Sequence, residues 1–145
     1  MSACEIPQSN PSNEQIKHIL HNSKTIAIVG LSAEPDKDSY IVAQYLQSKN
    51  YKIIPVNPKY PEILGEKSYS SLSEIPGKID IVDVFRKPDA ILAIARECLQ
   101  LKSKPGVFWM QLGLANKEAS DMLEKEGIQV VQSKCIKIEH QRLSL

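Results

Sequence analysis

The chain has 145 residues, 42% of them hydrophobic and 24% charged, and its 18 basic and 17 acidic residues leave a net charge of +1. This length is typical of one domain with its own core, and the balanced charge argues against nucleic-acid binding driven by overall charge. No apolar run of about 18 residues exists to span a membrane, and the polar N-terminus does not resemble a signal peptide.

The cysteines indicate the compartment. They stand at positions 4, 98 and 135, an odd number with wide spacing and no CxxC pair. This pattern is neither a disulfide framework nor a zinc site, so no metal is expected. Reduced thiols are typical of the cytoplasm, which is therefore the predicted location.

Apolar segments and helical patterns alternate along the chain. Residues 1–11 predict a flexible arm, and the spacing of Ser12 and Gln15 predicts a capping box at the start of a short helix in a domain covering 12–145. Further helices are predicted at 39–49, from Pro88 to about 101, from the Asn116 cap to 126, and at 136–143. The segment 59–77 is irregular, with a helical turn expected at 71–75. Strands are predicted at 25–29, 51–56, 79–85, 106–110 and 128–131.

This alternation predicts an α/β fold with a five-stranded parallel sheet and helices on both faces. Two strands carry unusual residues for such a sheet. Pro55 is unexpected in a central strand. Asp80 and Asp83 precede the third loop, and a buried carboxylate needs a partner. We therefore expect either that Asp83 pairs with a base or that its strand lies near an edge.

Ligands of parallel α/β sheets bind beyond the carboxyl ends of the strands. The first such loop runs from Gly30 to Ser39 and opens a helix, so its N–H groups can face an anion, with Lys37, Ser32 and Ser39 beside it. The alternative is that Gly30 only makes the turn and that Asp38 or Ser39 only caps the helix. The dinucleotide fingerprint GxGxxG is absent, since only Gly30 is present. The motif GxxxxGK[ST] is absent as well, which argues against a nucleotide triphosphatase.

The remaining loops narrow the ligand class. Asn57, followed by Pro58, stands where NAD-binding folds place an acidic residue, which weakens the case for a dinucleotide. Asn-Pro also simply terminates strands. Arg86 and Lys87 after the third strand are either phosphate ligands or a solvated surface. After the fourth strand, Gln111 and Gly113 suggest a close approach of amide and backbone to a polar group. Trp109, within the strand, is by itself more often a core residue than a platform for a ligand.

No catalytic set emerges from the sequence. The histidines at 18, 21 and 140 are not placed with a serine or cysteine. Cys135 has Lys134 and Lys137 as neighbours, which favour a thiolate, although most cysteines are inert apolar residues.

Six segments in order resemble the small single-domain CoA-binding proteins, relatives of the CoA-binding domain of succinyl-CoA synthetase α subunits. They are IAIVGLSAEPDKDSYIVAQYL, IIPVNP, LGEKSYSSLSEIP, IDIVDVFRKP, VFWMQLG and CIKIEH. The resemblance covers roughly residues 14–143. It implies a Rossmann-like, three-layer fold with CoA lying across the strand ends.

The resemblance also implies a role for each site residue. Gly30, Leu31 and Ser32 would line the diphosphate, with Lys37 and Ser39 near it. Asn57 and Pro58 would border the adenosine, Phe85 and Arg86 would form the next wall, and Trp109, Gln111 and Gly113 would lie towards the pantetheine. Where relatives often have a basic residue followed by Pro-Ser, this chain has Asp36-Lys37-Asp38-Ser39, whose carboxylates oppose a phosphate.

The leading hypothesis is thus a binding protein for CoA or an acyl-CoA without evident catalysis of its own. One alternative is an enzyme or ligase subunit that acts on acyl-CoA with a protein partner. A second is an NAD(P)-binding redox-sensing module. A further hypothesis is that Cys135 forms a mixed disulfide with the CoA thiol.

Overall fold

The computed structural model describes residues 10–143. The predicted N-terminal arm therefore lies almost entirely outside the described residues. Its residue Asn10 is tied to the domain, because its side chain donates to the carbonyl of Gln132 at 2.8 Å and accepts from the N–H of Gln132 at 2.7 Å. Among residues 10–143 no helix combines the length and the apolar character needed to cross a membrane.

Helices and strands alternate as the sequence predicts. The helices are α1 (Asn13–Asn22), α2 (Asp38–Ser48), α3 (Ile91–Gln100), α4 (Lys117–Glu124) and α5 (Ile136–Arg142). The strands are β1 (Thr25–Val29), β2 (Lys52–Val56), β3 (Glu62–Ile63), β4 (Glu66–Lys67), β5 (Ile81–Val84), β6 (Val107–Met110) and β7 (Gln129–Val131).

Five of these strands form one parallel sheet in the order β2-β1-β5-β6-β7. Side chains alternate between its two faces. One face packs with α1, α2 and α5, and the other with α3 and α4. This arrangement confirms the predicted three-layer α/β fold. The strand order reverses between β1 and β5, which is where ligands bind in such sheets.

Two predicted helix starts are confirmed, since α1 begins with the capping box and Asn116 caps α4 through its side chain. Other local predictions differ from the structure. Pro88 begins a short 3-10 helix (Pro88–Ala90) that leads into α3, and not an α-helix. The irregular segment holds the antiparallel pair β3 and β4 and a 3-10 helix (Leu72–Glu74). Pro55 is tolerated because β2 is the outermost strand of the parallel sheet.

Both expectations for Asp83, that it pairs with a base or that its strand lies near an edge of the sheet, are wrong. Asp83 lies in β5, the middle strand, its side chain is fully buried, and neither carboxylate oxygen has a hydrogen-bond partner among the described residues. Burial raises the pKa of this carboxyl well above its ordinary value, which favours the protonated, uncharged form of Asp83. Asp80, in contrast, accepts from the N–H groups of Lys24 and Thr25 at 2.8 and 3.0 Å.

Candidate functional site

A cavity of about 780 Å³ opens at the carboxyl ends of β1, β5 and β6. Its walls are the loop after β1 with the start of α2, the loop after β5, the loop after β6, and the start of α5. The lining residues are Gly30, Ser32, Lys37, Asp38, Ser39, Ile41, Val42, Phe85, Arg86, Lys87, Gln111, Leu112, Leu114, Cys135, Lys137 and Ile138. The volume is within the range of sites for small molecules and cofactors.

The loops after β1 and β5 touch at the base of this cavity. Gly30 has a φ of +91°, and a Cβ placed there would overlap the carbonyl oxygen of Phe85 and lie 2.9 Å from Cδ of Arg86. The N–H of Phe85 donates to the carbonyl of Val29 at 2.8 Å, which holds the two loops together. Only glycine fits both the backbone conformation and this approach.

The start of α2 presents free N–H groups beside the cavity. Ser39 does not cap the helix, because its Oγ accepts from the N–H of Ser32 at 2.9 Å. The N-cap is Lys37, whose side chain makes no capping bond. Among the described residues, the N–H groups of Asp38, Ser39 and Tyr40 have no acceptor. Such an uncapped helix start attracts an anion.

Cations surround this helix start. Lys37, Arg86 and Lys87 line the cavity, are exposed, and form no ion pair within the part of the chain that the structure describes. A fourth cation, Lys137, places its Nζ 5.8 Å from the ring centre of Tyr45. Among the described residues that line the cavity, Asp38 alone carries a carboxylate. The cavity is thus cationic although the chain is almost neutral.

The opposite wall is built around Cys135. Trp109 and Gln111, at the end of β6, hold the residues on either side of it. Nε1 of Trp109 donates to the carbonyl of Lys134 at 2.8 Å, and Oε1 of Gln111 accepts from the N–H of Ile136 at 3.2 Å. The side chain between them, Cys135, is half-buried in the cavity wall.

Gln111 leaves one polar group unused. The bond from Ile136 fixes Oε1 as the acceptor, so the other side-chain atom is the NH₂ donor. This Nε2 has no acceptor among residues 10–143, although Gln111 is only 6% exposed and lines the cavity. Among residues 10–143 the fully buried side-chain polar atoms without a partner belong to Asp83, so this donor of Gln111 is accessible, and a ligand in the cavity can accept from it.

The structure separates the residues predicted for the site into two groups. Those that line the cavity are Gly30, Ser32, Lys37, Ser39, Phe85, Arg86 and Gln111. Those that do not are Leu31, Asn57, Pro58, Trp109 and Gly113. The side chains of Leu31 and Trp109 are fully buried in the core, so both shape the site from behind it. Gly113 donates its N–H to Oγ of Ser133 at 3.0 Å.

Asn57 supports the first loop. Its Nδ2 donates to the carbonyl of Leu31 at 3.0 Å, and its Oδ1 accepts from the N–H of Lys59 at 2.9 Å. Both atoms of the amide are therefore used within the protein. This explains an amide at the end of β2 without assigning it to a ligand.

Sequence reasoning missed most of the wall formed by α5 and the loop after β6. Leu112, Leu114, Lys137 and Ile138 contribute to it together with Cys135. The one feature of the sequence that pointed to this wall was the pair of lysines, Lys134 and Lys137, beside Cys135.

The other cysteine in the described part, Cys98, is fully buried, and burial, with the nearby Glu97, raises the pKa of its thiol to about 12. The two thiols thus differ sharply in environment.

A cationic cavity at the switch point of a doubly wound parallel sheet is typical of domains that bind phosphorylated ligands of nucleotide type. The comparison with protein families gives the particular family. The chain belongs to the CoA-binding domain family, whose sequence model matches residues 24–141. This confirms the family predicted from the six sequence segments.

The chain is also similar in sequence to individual proteins. The chain is 49% identical over 131 residues to the uncharacterized protein YneT of Bacillus subtilis, covering 90% of this chain and 96% of YneT. It is 28% identical over 138 residues to the ADP-forming acetate–CoA ligase of Methanocaldococcus jannaschii, covering 90% of this chain but only 19% of the ligase.

Solved structures show the same fold. A hypothetical protein of Pyrococcus horikoshii OT3 is similar with a TM-score of 0.86 and 38% identity, covering 97% of this chain and 100% of that one. A protein of Thermus thermophilus has a TM-score of 0.86 and 35% identity, covering 92% of this chain and 99% of that one.

Proposed function

We propose that this chain binds coenzyme A or an acyl-CoA in the cavity beyond β1, β5 and β6, without catalysis of its own. The observation that carries the proposal is the group of cations Lys37, Arg86 and Lys87, which have no ion-pair partner among residues 10–143, around the start of α2, where no side chain caps the helix. CoA brings a diphosphate and a 3′-phosphate, which are the anions that such a group stabilises. The free thiols and the family support a cytoplasmic protein.

The diphosphate would lie against the first loop. Gly30 lets the ligand approach the backbone closely, and the N–H groups at the start of α2 would donate to phosphate oxygens. Arg86 and Lys37 would supply positive charge from the two sides. The carboxylate of Asp38 opposes this binding, so a modest affinity that falls with rising salt is expected.

The other predicted residues would act in two ways. Phe85 and Gln111 line the cavity and would contact the ligand directly. Asn57 would act by holding the carbonyl of Leu31, and Trp109 by holding that of Lys134. Pro58 and Gly113 do not line the cavity. We therefore propose no direct contact with the ligand for them and place them in the loops that adjoin it.

A dinucleotide fits this site less well than CoA. NAD-binding folds use a carboxylate at the end of the second strand to hold the ribose hydroxyl groups. The corresponding residue here is Asn57, whose amide is already bonded to Leu31 and Lys59. We therefore favour a CoA-binding protein over an NAD(P)-binding redox module.

A second candidate is a CoA-binding component that acts on acyl-CoA together with a protein partner. The similarity to an ADP-forming acetate–CoA ligase over 90% of this chain supports it. In that case the partner would supply the catalytic groups. Turnover of acetyl-CoA by the purified chain alone would contradict a pure binding role, and a stable complex from cell lysate would favour the partner model.

Calorimetric titration with CoA, acetyl-CoA, NAD and NADP tests the proposal. We expect one site that binds CoA or acetyl-CoA more tightly than either dinucleotide. Tighter binding of NAD or NADP than of any CoA species would contradict it, as would no binding of CoA at all.

A further inference from the structure

The cavity changes character along the order of the sheet. The loops after β1 and β5 supply the cations Lys37, Arg86 and Lys87. The loop after β6 and helix α5, which follows β7, supply Leu112, Leu114, Cys135 and Ile138, together with one cation, Lys137, whose Nζ lies 5.8 Å from the ring centre of Tyr45. One end of the cavity is therefore lined mainly by cations and suits phosphate, and the other end is lined mainly by apolar side chains and suits an apolar group.

The apolar end is unusually exposed. Among residues 10–143, four large hydrophobic side chains are exposed, and three of them, Ile41, Leu112 and Ile138, line this cavity. Leu112 is 68% exposed and Ile138 is 49% exposed. Ile41 joins them because α2 packs against α5. An apolar cluster that remains in water at the edge of a cavity marks a binding surface.

The same end offers a hydrogen-bond donor. Nε2 of Gln111 has no acceptor among the described residues, whereas Oε1 is fixed by the N–H of Ile136 at 3.2 Å. The matching ligand group is a carbonyl oxygen with an apolar chain attached to it. A thioester has this combination, and free CoA, which ends in a thiol, has no chain beyond the sulfur.

We propose that this end of the cavity is a subsite for the acyl group of an aliphatic acyl-CoA thioester. Nε2 of Gln111 donates to the thioester carbonyl, and Ile41, Leu112 and Ile138 cover the acyl chain. The inference rests on the proposed function, because the cationic end must hold the CoA moiety. It adds the ligand class: an acyl-CoA with a chain of several carbons is preferred over free CoA.

Titration of the protein with CoA and with acetyl-, butyryl- and hexanoyl-CoA tests the subsite. Burial of one methylene corresponds to about a fourfold gain in affinity at most. Because the subsite is open to solvent, we expect a smaller step for each carbon and at least about tenfold tighter binding of hexanoyl-CoA than of CoA. If CoA binds and hexanoyl-CoA binds no more tightly, the subsite is wrong and the proposed function stands. If no CoA species binds, both fail.

Substitutions test whether Leu112 and Ile138 cause the tighter binding of hexanoyl-CoA. Leu112→Ser and Ile138→Ser alter exposed side chains, so folding is retained, and each should reduce the ratio of hexanoyl-CoA to CoA affinity severalfold. Tyr60→Ser is the matched control, since Tyr60 is 38% exposed and lies away from the cavity. An unchanged ratio in Leu112→Ser and Ile138→Ser would overturn the subsite. So would a change in their sedimentation without a change in the ratio, because the apolar cluster would then join two copies.

The carbonyl contact has its own test. Gln111→Glu keeps an oxygen to accept from Ile136 but removes the donor. It should weaken hexanoyl-CoA binding more than the binding of S-hexyl-CoA, a thioether that lacks the carbonyl. Equal losses for the two ligands would remove Gln111 from the proposed contact.

Discussion

Gly30 and Phe85 are packed so closely that no side chain fits between them. A Cβ on Gly30 would overlap the carbonyl oxygen of Phe85 and meet Cδ of Arg86. This contact joins the loops after β1 and β5, which both supply residues to the cationic end of the cavity. Since Arg86 directly follows Phe85 and its Cδ lies 2.9 Å from the would-be Cβ, a change at Gly30 affects both the fold and the site.

Gly30→Ala should destabilise the protein and weaken CoA binding. The positive φ alone costs an alanine about 1–2 kcal/mol, and the overlap with Phe85 adds about 1–3 kcal/mol. Gly77→Ala is the control, because Gly77 has a φ of +84° with nothing within 4 Å of its would-be Cβ. Urea unfolding of both variants measures the difference. An equal loss of stability in the two would contradict the close approach.

Arg86→Ala should weaken CoA binding by about 1–3 kcal/mol, because it removes a charge-assisted bond to phosphate. Arg96→Ala is the matched control, since Arg96 is exposed on α3 and does not line the cavity. Isothermal titration at low and high salt measures both variants. An unchanged affinity for Arg86→Ala would remove Arg86 from the site.

Asp83 should make stability depend on pH. Its pKa is raised in the folded state by burial, so the folded protein keeps a proton that the unfolded chain releases above pH 4. The stabilising contribution is thus complete below the unfolded pKa and is lost as the pH rises towards the folded one, by up to about 1.4 kcal/mol per pH unit.

Urea unfolding between pH 4 and 7 measures this slope. In Asp83→Asn, which has the same shape and no titrating proton, the slope attributed to Asp83 should disappear. Equal slopes for the variant and the parent protein would mean that Asp83 is ionised in the folded state and has found a partner.

Cys135 should exchange with a CoA disulfide. The thiolate of Cys135 would attack one sulfur, a Cys135–CoA mixed disulfide would form, and the second CoA would leave as a thiolate. Intact-mass analysis of a Cys4→Ser variant should show one CoA adduct at Cys135 that dithiothreitol reverses. Cys98, fully buried and with its pKa raised to about 12, should remain unmodified. Absence of an adduct at Cys135, or modification of Cys98 instead, would refute this prediction.

The parts of this structure that sequence predicts are those set by local pattern. Short β-branched runs between helical patterns predicted the parallel sheet, and Ser12 with Gln15 predicted the start of α1. The parallel topology then placed Gly30, Arg86 and Gln111 at one edge, because the carboxyl ends of parallel strands lie together.

What depends on tertiary packing could not be predicted. Every residue of β6 is buried, and so is Gln111 directly after it, so burial along the chain does not distinguish Trp109, whose ring lies in the core, from Gln111, which lines the cavity. The position of α5 is set by its packing against α2, far away in the sequence, so its wall of the cavity was missed. Asp83 was predicted wrongly because its carboxyl group is buried in the middle strand without a partner among residues 10–143, and burial itself raises its pKa.

A crystal structure of this protein in complex with CoA tests most directly the central claim, that CoA binds in the cavity beyond β1, β5 and β6. We predict the diphosphate at the N–H groups that begin α2, with Arg86 in contact with phosphate and the thiol end pointing towards Gln111 and Cys135. CoA bound at another surface, or in this cavity with its phosphates away from α2 and Arg86, would contradict the account.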